Sequence, residues 1–479
     1  MSVEVARLGA ALGAAGLAAL LVAPQRYARL AGLAAVAVGG GLLAAYLVPS
    51  GSEKLLAAGL VVGVPFAAAG AYGLRRFPWA LPFAALACVP ARIPVTVGDT
   101  EANLLLPLYA VIAAAGVALA WSLYRGEGGI RELGIVAWPL AAFVALAGLS
   151  LAWSDDPRQG GITLLFFVLP FGVLAVCLSR LPWRRAPVGY LLGLLAAMAV
   201  AFAAIGVFQW VTRDVFWNPK VIVGNAYAPF YRVNSVFWDP SIYGRFLVIA
   251  ILAALVVLVV GGARSRIVLG AAAVIAIVWV GLLFSFSQSS FAALIAGTLA
   301  AAAFVWRWRA VTAVALTGVV LLSAGMAAPS VRHSIFDASD KGLNRATSGR
   351  FGLITDGAKI AFDHPAAGVG VGGFKRAYAA KTGLRGEEPK KAASHNTPVT
   401  VAAELGLPGL AVLAWLLVAG LLAAFRRAGR GFEGRAALVF GIALGAIAVH
   451  SLFYDAFFED PMTWGLLALG ALVAREPVT

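Results

Sequence analysis

Acidic residues are scarce in this chain: 22 Asp and Glu stand among 479 residues, against 37 Lys and Arg. Histidine occurs four times and cysteine twice. Two cysteines cannot build a disulfide framework, and Cys88 and Cys177 each sit in an apolar segment without metal-ligand spacing. Both read as small buried hydrophobes. The histidines are far apart, and neither Asp337/Asp340 nor Asp455/Glu459/Asp460 has a recognisable ligand spacing, so metal-independent chemistry is expected. A G-x-S-x-G nucleophile elbow and a Walker loop are both missing, which leaves serine-hydrolase and P-loop chemistry without their motifs.

What is abundant is apolar surface. Hydrophobic residues make up 61% of the chain and charged residues 12%, with a mean hydropathy of +0.90. Runs close to the ~20 residues needed to cross a bilayer recur along the whole length, and their Ala/Leu/Val/Gly content favours helices over the alternation of a barrel. The expected fold class is all-α, a polytopic membrane helical bundle. Candidate spans fall near 8–23, 30–48, 55–74, 78–90, 102–122, 133–152, 161–179, 187–211, 241–260, 267–284, 289–306, 310–328, 398–425, 436–454 and 461–474, about fifteen in all. Residues 8–23 lack a small-x-small cleavage pattern and another span follows at once, so the segment reads as a span and not a signal peptide.

The net charge of +15 has to be read loop by loop. Arg26/Arg29, Arg75/Arg76, Arg125/Arg131, Arg180/Arg184/Arg185, Arg264/Arg266, Arg307/Arg309 and the group Arg426 to Arg435 fall in every second connection. By the positive-inside rule those connections are cytoplasmic. The charge is then largely topological, and nucleic acid is not an expected partner. The remaining connections face out, including both long polar ones, 212–240 and 329–397.

The external loop 329–397 organises the chain. It carries eleven Lys and Arg against six Asp and Glu, and three of the histidines, His333, His364 and His395. Ser348 to His364 reads as a short amphipathic helix, with Phe351, Ile354, Ala358, Ala361 and Phe362 on one face and Arg350 in its first turn. The run Gly368-Val369-Gly370-Val371-Gly372-Gly373 fits the letters of a dinucleotide motif, but no strand precedes it and no βαβ unit surrounds it. A tight turn with bare backbone is the better reading. His395 is the candidate base, since imidazole accepts a proton near neutral pH. Asn396 and Glu404 are placed to support it, although Asn396 also suits a helix cap before Pro398. His450 lies within a span, where a polar residue signals either function or a hydrogen-bonded packing role. The second outer stretch, 225–245, is rich in aromatics and carries Arg232 and Arg245. It reads either as an interfacial belt or as a pair of guanidinium donors for a phosphate.

These residues resemble the O-antigen ligase and O-antigen polymerase superfamily of bacterial membrane glycosyltransferases. The similar features are Trp153-Ser154-Asp155-Asp156-Pro157, Arg232, Arg350 opening a helix that leads to His364-Pro365 and the glycine turn, and Ser394-His395-Asn396 leading to Glu404-Leu405-Gly406. The resemblance implies a core of roughly twelve spans over residues 78–474, with 1–77 as additional N-terminal helices and 475–479 as a cytoplasmic tail. It implies an enzyme of the plasma membrane, active on its external face and without a cofactor. The donor would be a glycan on undecaprenyl pyrophosphate, and the acceptor a lipid A core or other surface glycan. His395 would be catalytic, Arg232, Arg245 and Arg350 would stabilise the pyrophosphate, and Asn396 and Glu404 would support them. Where many members have a Ser-Arg-Gly turn, this chain has Ser287-Gln288-Ser289-Ser290, so one positive charge is missing. A polymerase extending lipid-linked repeats is the nearest alternative. A transporter of an anionic or polyprenyl-linked solute is a third, disfavoured because the ionisable groups gather at one face instead of the midplane.

Overall fold

The computed structural model describes residues 2–48, 53–97, 100–127, 133–227, 230–262, 264–307, 309, 312, 350–383 and 394–475. It is a helical membrane bundle, as the hydropathy pattern requires. Eleven segments among the described residues are long and apolar enough to cross a bilayer. They are α1 (Val3–Val22), α2 (Arg26–Leu47), α5 (Leu106–Arg125), α6 (Ala137–Ser150) with its flanking turns, the joined α7 (Pro157–Thr163) and α8 (Leu169–Ser179), α9 (Arg185–Thr212), α11 (Pro240–Val260), α12 (Ser265–Ser285), α13 (Gln288–Trp306), α16 (Thr397–Phe425) and α17 (Phe432–His450). Between them lie α3 (Glu53–Arg76), α4 (Ala80–Cys88), α10 (Pro219–Tyr227), α14 (Arg350–Asp363) and α15 (Phe374–Thr382), and α18 (Pro461–Arg475) ends the bundle.

Four of the expected spans account for the difference. The segment 310–328 lies outside the described residues, as do the side chains of 53–62 in α3, and α18 has only 15 residues. The fourth, 78–90, becomes the nine-residue α4, about 14 Å of helix at 1.5 Å per residue. The indole of Trp79 donates to the carbonyl of Pro182 at one face of the bundle, and Arg92 Nη2 donates to the carbonyl of Glu459 at the other. The chain between them therefore traverses the bundle, with a short helix followed by an irregular turn. The following connection, expected on the external face from the arginine pattern, contains an antiparallel hairpin of β1 (Ile93–Val97) and β2 (Thr100–Leu104), with Ile93 opposite Leu104.

Close approach of backbones explains much of the glycine content. An added Cβ at Gly39 in α2 would stand 2.4 Å from the amide of Gly13 in α1, so this helix pair packs at a distance only small residues allow. The hairpin of α1 and α2 in turn packs on α6, the contact where Gly148 meets Ala14.

Polar contacts sort onto two faces. At one, Arg435 Nη1 donates to the carbonyl of Gly261 at 2.7 Å, Arg185 pairs with Glu433, and Arg475 reaches the carbonyl of Ser179. At the other, Arg158 Nη2 donates to the carbonyl of Leu47 at 3.2 Å, and the amide of Thr397 donates to the carbonyl of Ser451 at 2.8 Å. Of the segments expected to carry function, 153–157, 364–373 and 394–404 gather on this second face.

Candidate active site

A break in α16 creates the frame of the site. Gly406 has φ +68, a left-handed conformation open to glycine, and Pro408 follows two residues later. The helix cannot make its usual bonds here, because Pro408 has no N–H for the carbonyl of Glu404, and the amide of Leu407 turns to the carbonyl of Pro365 at 2.8 Å. The carbonyls of Ala403 and Glu404 are thereby released, and each accepts a bond of 2.9 Å, from the amides of Val369 and Gly370. Thus the glycine-rich run is docked onto the kink by main-chain bonds.

The other side of that run is clamped by the turn after α6. The hydroxyl of Ser154 donates to the carbonyl of Val371 at 2.7 Å, the amide of Val371 donates to Ser150 Oγ at 3.0 Å, and the amide of Asp155 donates to the carbonyl of Val369 at 3.0 Å. Gly370 and Gly372 have φ +82 and +78, and a Cβ on either would stand 2.3 and 2.2 Å from main-chain atoms of Ser154 and Gly160. The turn is a structural knot between two segments, and its bare backbone serves close packing. No βαβ unit surrounds it, so the dinucleotide reading stays rejected.

The knot walls one side of a cavity of about 390 Å³. His395 and Glu404 line it, together with Asp239, Lys375, Asp455 and Glu459 and the rings of Phe143, Tyr454, Phe457 and Phe458. His395 has φ +52, a conformation uncommon for a residue with a side chain and found preferentially where the surroundings enforce it. On its C-terminal side, Asn396 caps α16: its side-chain oxygen accepts from the amide of Val399 at 3.0 Å and its Nδ2 donates to the carbonyl of Leu452 at 2.9 Å. The capping reading of Asn396 is therefore correct, and the same cap anchors the residue next to His395. Glu404 accepts from the amide of Phe374 at 3.3 Å.

Asp455 was not among the residues expected to act, yet it is the best-held carboxylate of the cavity. It accepts the hydroxyls of Thr397 at 2.8 Å and Thr400 at 2.5 Å. Burial raises its pKa, while the bonds from Thr400 and Thr397 and the neighbouring charge of His395 act the other way. Glu459 is pushed up to about 7, first by burial and then by the charge of Asp455, against the opposing charges of Arg92, Lys375 and Arg245. Both lie in the connection between α17 and α18, whose acidic residues drew attention in sequence only as unconvincing metal ligands. A carboxylate far along the chain from its histidine has no local signature.

The arginines are placed differently from one another. Arg245 is 2% exposed and lies 2.6 Å from Asp460, itself buried, so its charge is committed inside the protein. Arg232 is half-buried outside the cavity lining, with Nε donating to the carbonyl of Ser285 at 3.1 Å and its amide bonded to Asn225. Arg350 opens α14, as expected from the pattern; its side chain lies outside the described residues. Of the face expected on that helix, Ala361 is buried and Ile354 and Ala358 are half-buried, whereas Phe362 is 77% exposed and the Phe351 side chain lies outside the described residues; Ile360, outside that face, is buried with Ala361 against α15 and α16. His364 is exposed, and His333 lies outside the described residues. His450 is a packed residue, its Nε2 3.0 Å from Ser289 Oγ and 3.2 Å from the carbonyl of Ser241. Gln288, where an arginine was expected by resemblance, is the first residue of α13, beside this serine cluster. Among the described residues no group of His, Cys, Asp and Glu is arranged to hold a metal ion.

Comparison with known proteins bears on the same residues. No curated protein matches the chain. Residues 273–414 match the family model described as O-Antigen ligase. The matched stretch runs from within α12 into α16, past the kink at Gly406, and includes Arg350, the glycine knot, His395, Asn396 and Glu404. The part of the chain that builds the His395 side of the cavity is thus similar to the O-antigen ligase domain, a match that supports the O-antigen ligase superfamily.

Proposed function

We propose that the protein is an inverting glycosyltransferase of the plasma membrane that moves a glycan from undecaprenyl pyrophosphate to a glycan acceptor at the external face. The observation that carries the reading is the arrangement of His395 on a cavity whose Asp455 carboxylate is fixed by two threonine hydroxyls. In the reaction, a hydroxyl of the acceptor attacks the anomeric carbon of the donor. His395 takes the hydroxyl proton as the new C–O bond forms, and the carboxylate of Asp455 supports the cationic imidazole. The bond from the anomeric carbon to the pyrophosphate breaks, and its electron pair leaves on undecaprenyl pyrophosphate. Displacement from the opposite side inverts the anomeric configuration.

The composition of the lining supports different places for the two substrates. Four acidic side chains and five aromatic rings against one lysine and one histidine make poor company for a pyrophosphate but suit a hydroxyl-rich acceptor, whose O–H groups donate to carboxyl oxygens. In this proposal the leaving pyrophosphate is met outside that lining, with Arg232 and Arg350 as the proposed sources of permanent positive charge in the transition state. Arg245 supports the site indirectly, by holding Asp460 and with it the connection that carries Asp455 and Glu459. No step here calls for a metal ion. The acceptor, a lipid A core for a ligase or a lipid-linked repeat for a polymerase, is set by which glycan the cavity receives.

The test is glycan transfer by purified protein from a synthetic undecaprenyl-pyrophosphate donor in detergent with chelator present, offering both acceptor types. Wild type should transfer, and His395→Ala and Arg350→Ala should not while remaining folded. Full activity in His395→Ala would remove the assigned base. Movement of solute across liposomes without a new glycosidic bond would favour a transporter.

A further inference from the structure

A second, larger cavity lies at the opposite face, between α9, α11, α12 and α17. Its volume is about 680 Å³, within the roughly 300–1,000 Å³ usual for ligand sites. It arises because α9 and α12 are close at one end only. Toward the His395 face, an added Cβ at Gly281 would sit 2.8 Å from the Ala203 side chain, whereas at the other end Gly193 and Gly270 have nothing within 4 Å. Small residues such as Ala196, Ala253 and Ala271 continue the wall, so the gap is an apolar slot that the chain's own side chains do not fill.

Charge is confined to the mouth. Arg264 and Arg435 are the only charged residues of the lining among the described residues, and both are basic. The nearby acid, Glu433, is paired with Arg185. The N-termini of α12 and α17 open at the same place, and neither has a side-chain cap. Their first-turn N–H groups add to the positive field. An apolar slot within the bundle that ends in two guanidiniums at a membrane face has the polarity of a phospholipid.

We propose that this cavity binds one anionic phospholipid from the leaflet opposite the His395 site, with an acyl chain in the slot and the phosphate on Arg264 and Arg435. The site is separate from the transfer chemistry and stands whether or not the protein is a glycosyltransferase.

Native mass spectrometry of delipidated protein in detergent tests it, with phosphatidylglycerol, phosphatidylcholine and inorganic phosphate as the three probes. Wild type should retain one phosphatidylglycerol, hold phosphatidylcholine roughly tenfold less tightly, and be unaffected by phosphate. Arg264→Gln with Arg435→Gln should bring phosphatidylglycerol down to the phosphatidylcholine level, and Arg435→Lys should keep most of the preference. Gly270→Leu, which places a side chain into open space, should reduce binding of both lipids with the lipid-free melting temperature unchanged. Should the double arginine variant not fold, Gly270→Leu alone decides. Equal retention of the two lipids by wild type, or unaltered binding in Gly270→Leu, would overturn the proposal. Displacement of phosphatidylglycerol by phosphate would turn the site into one for a soluble anion and overturn it equally.

Discussion

Thr400 donates its hydroxyl to Asp455 across a gap of 55 residues in sequence, at 2.5 Å. The pair ties the first turn of α16 to the connection between α17 and α18, and so fixes a carboxylate beside His395. In the proposed reaction Asp455 is a positioning residue. Asp455→Asn should lower turnover roughly tenfold to a hundredfold with donor KM little changed, and Asp455→Glu should recover part of it. His395→Ala should cost roughly 10²–10⁴-fold, the usual share of a general base. Steady-state kinetics on both variants checks this; a loss in Asp455→Asn expressed wholly in KM would place Asp455 in binding instead.

Glu459 ties the cavity to pH. Burial, then the charge of Asp455, pushes its carboxyl up to about 7 from an ordinary 4.5, so the folded protein holds that proton more tightly than the unfolded chain. Such a group adds stability below its ordinary range, and the contribution is lost as pH rises through about 7. Asp455 is shifted in the same direction. The melting temperature in detergent should therefore fall between about pH 4.5 and pH 7. In Glu459→Gln the slope should shrink without vanishing, since Asp455 is shifted in the same direction. An unchanged slope in that variant would mean that Glu459 titrates near its ordinary value.

The same residues show what could be read in advance. Helices followed from hydropathy because a bilayer imposes a length on each span, and His395 stood out because imidazole accepts a proton near neutral pH and because Ser394-His395-Asn396 resembles the O-antigen ligase pattern. The glycine run was legible as a tight turn, since three left-handed residues in six require glycine. Asp455 and Glu459 were not legible as site residues, because their roles come from contacts with α16 and with Lys375 and Arg92, distant in sequence. Arg245 was legible as a charge beside a span but not as the partner of Asp460. The hairpin at 93–104 does carry a local signal, the Gly98-Asp99 pair between two short runs, but a reading by hydropathy does not register strands of five residues.

The glycine knot makes a prediction about rigidity. Gly370→Ala and Gly372→Ala each add a Cβ within 2.3 Å of main-chain atoms and force an unfavourable φ. Neither clash can be relieved by rotating a side chain. Each should destabilise the protein by at least ~2 kcal/mol and abolish transfer. Gly383→Ala is the control: its φ is +70 but nothing among the described residues lies within 4 Å, so it should cost only about 1 kcal/mol. Thermal denaturation of the three variants in one detergent compares them directly. Equal losses would mean that backbone conformation, and not the contact with Ser154 and Gly160, sets the requirement for glycine.

Arg245 and Asp460 separate a structural charge from a substrate contact. Their ion pair is almost wholly buried, so removing one partner leaves the other charged and unpaired. Arg245→Ala or Asp460→Ala should each cost about 3–5 kcal/mol. Replacing both at once, Arg245→Met with Asp460→Leu, should restore most of that stability, because two apolar side chains need no mutual charge compensation. The double variant then asks a question neither single one answers. Stability and transfer that both return confirm that Arg245 serves the connection holding Asp455 and Glu459. Stability that returns without transfer would mean that the guanidinium itself acts on the pyrophosphate, and the donor site would have to include the buried end of α11.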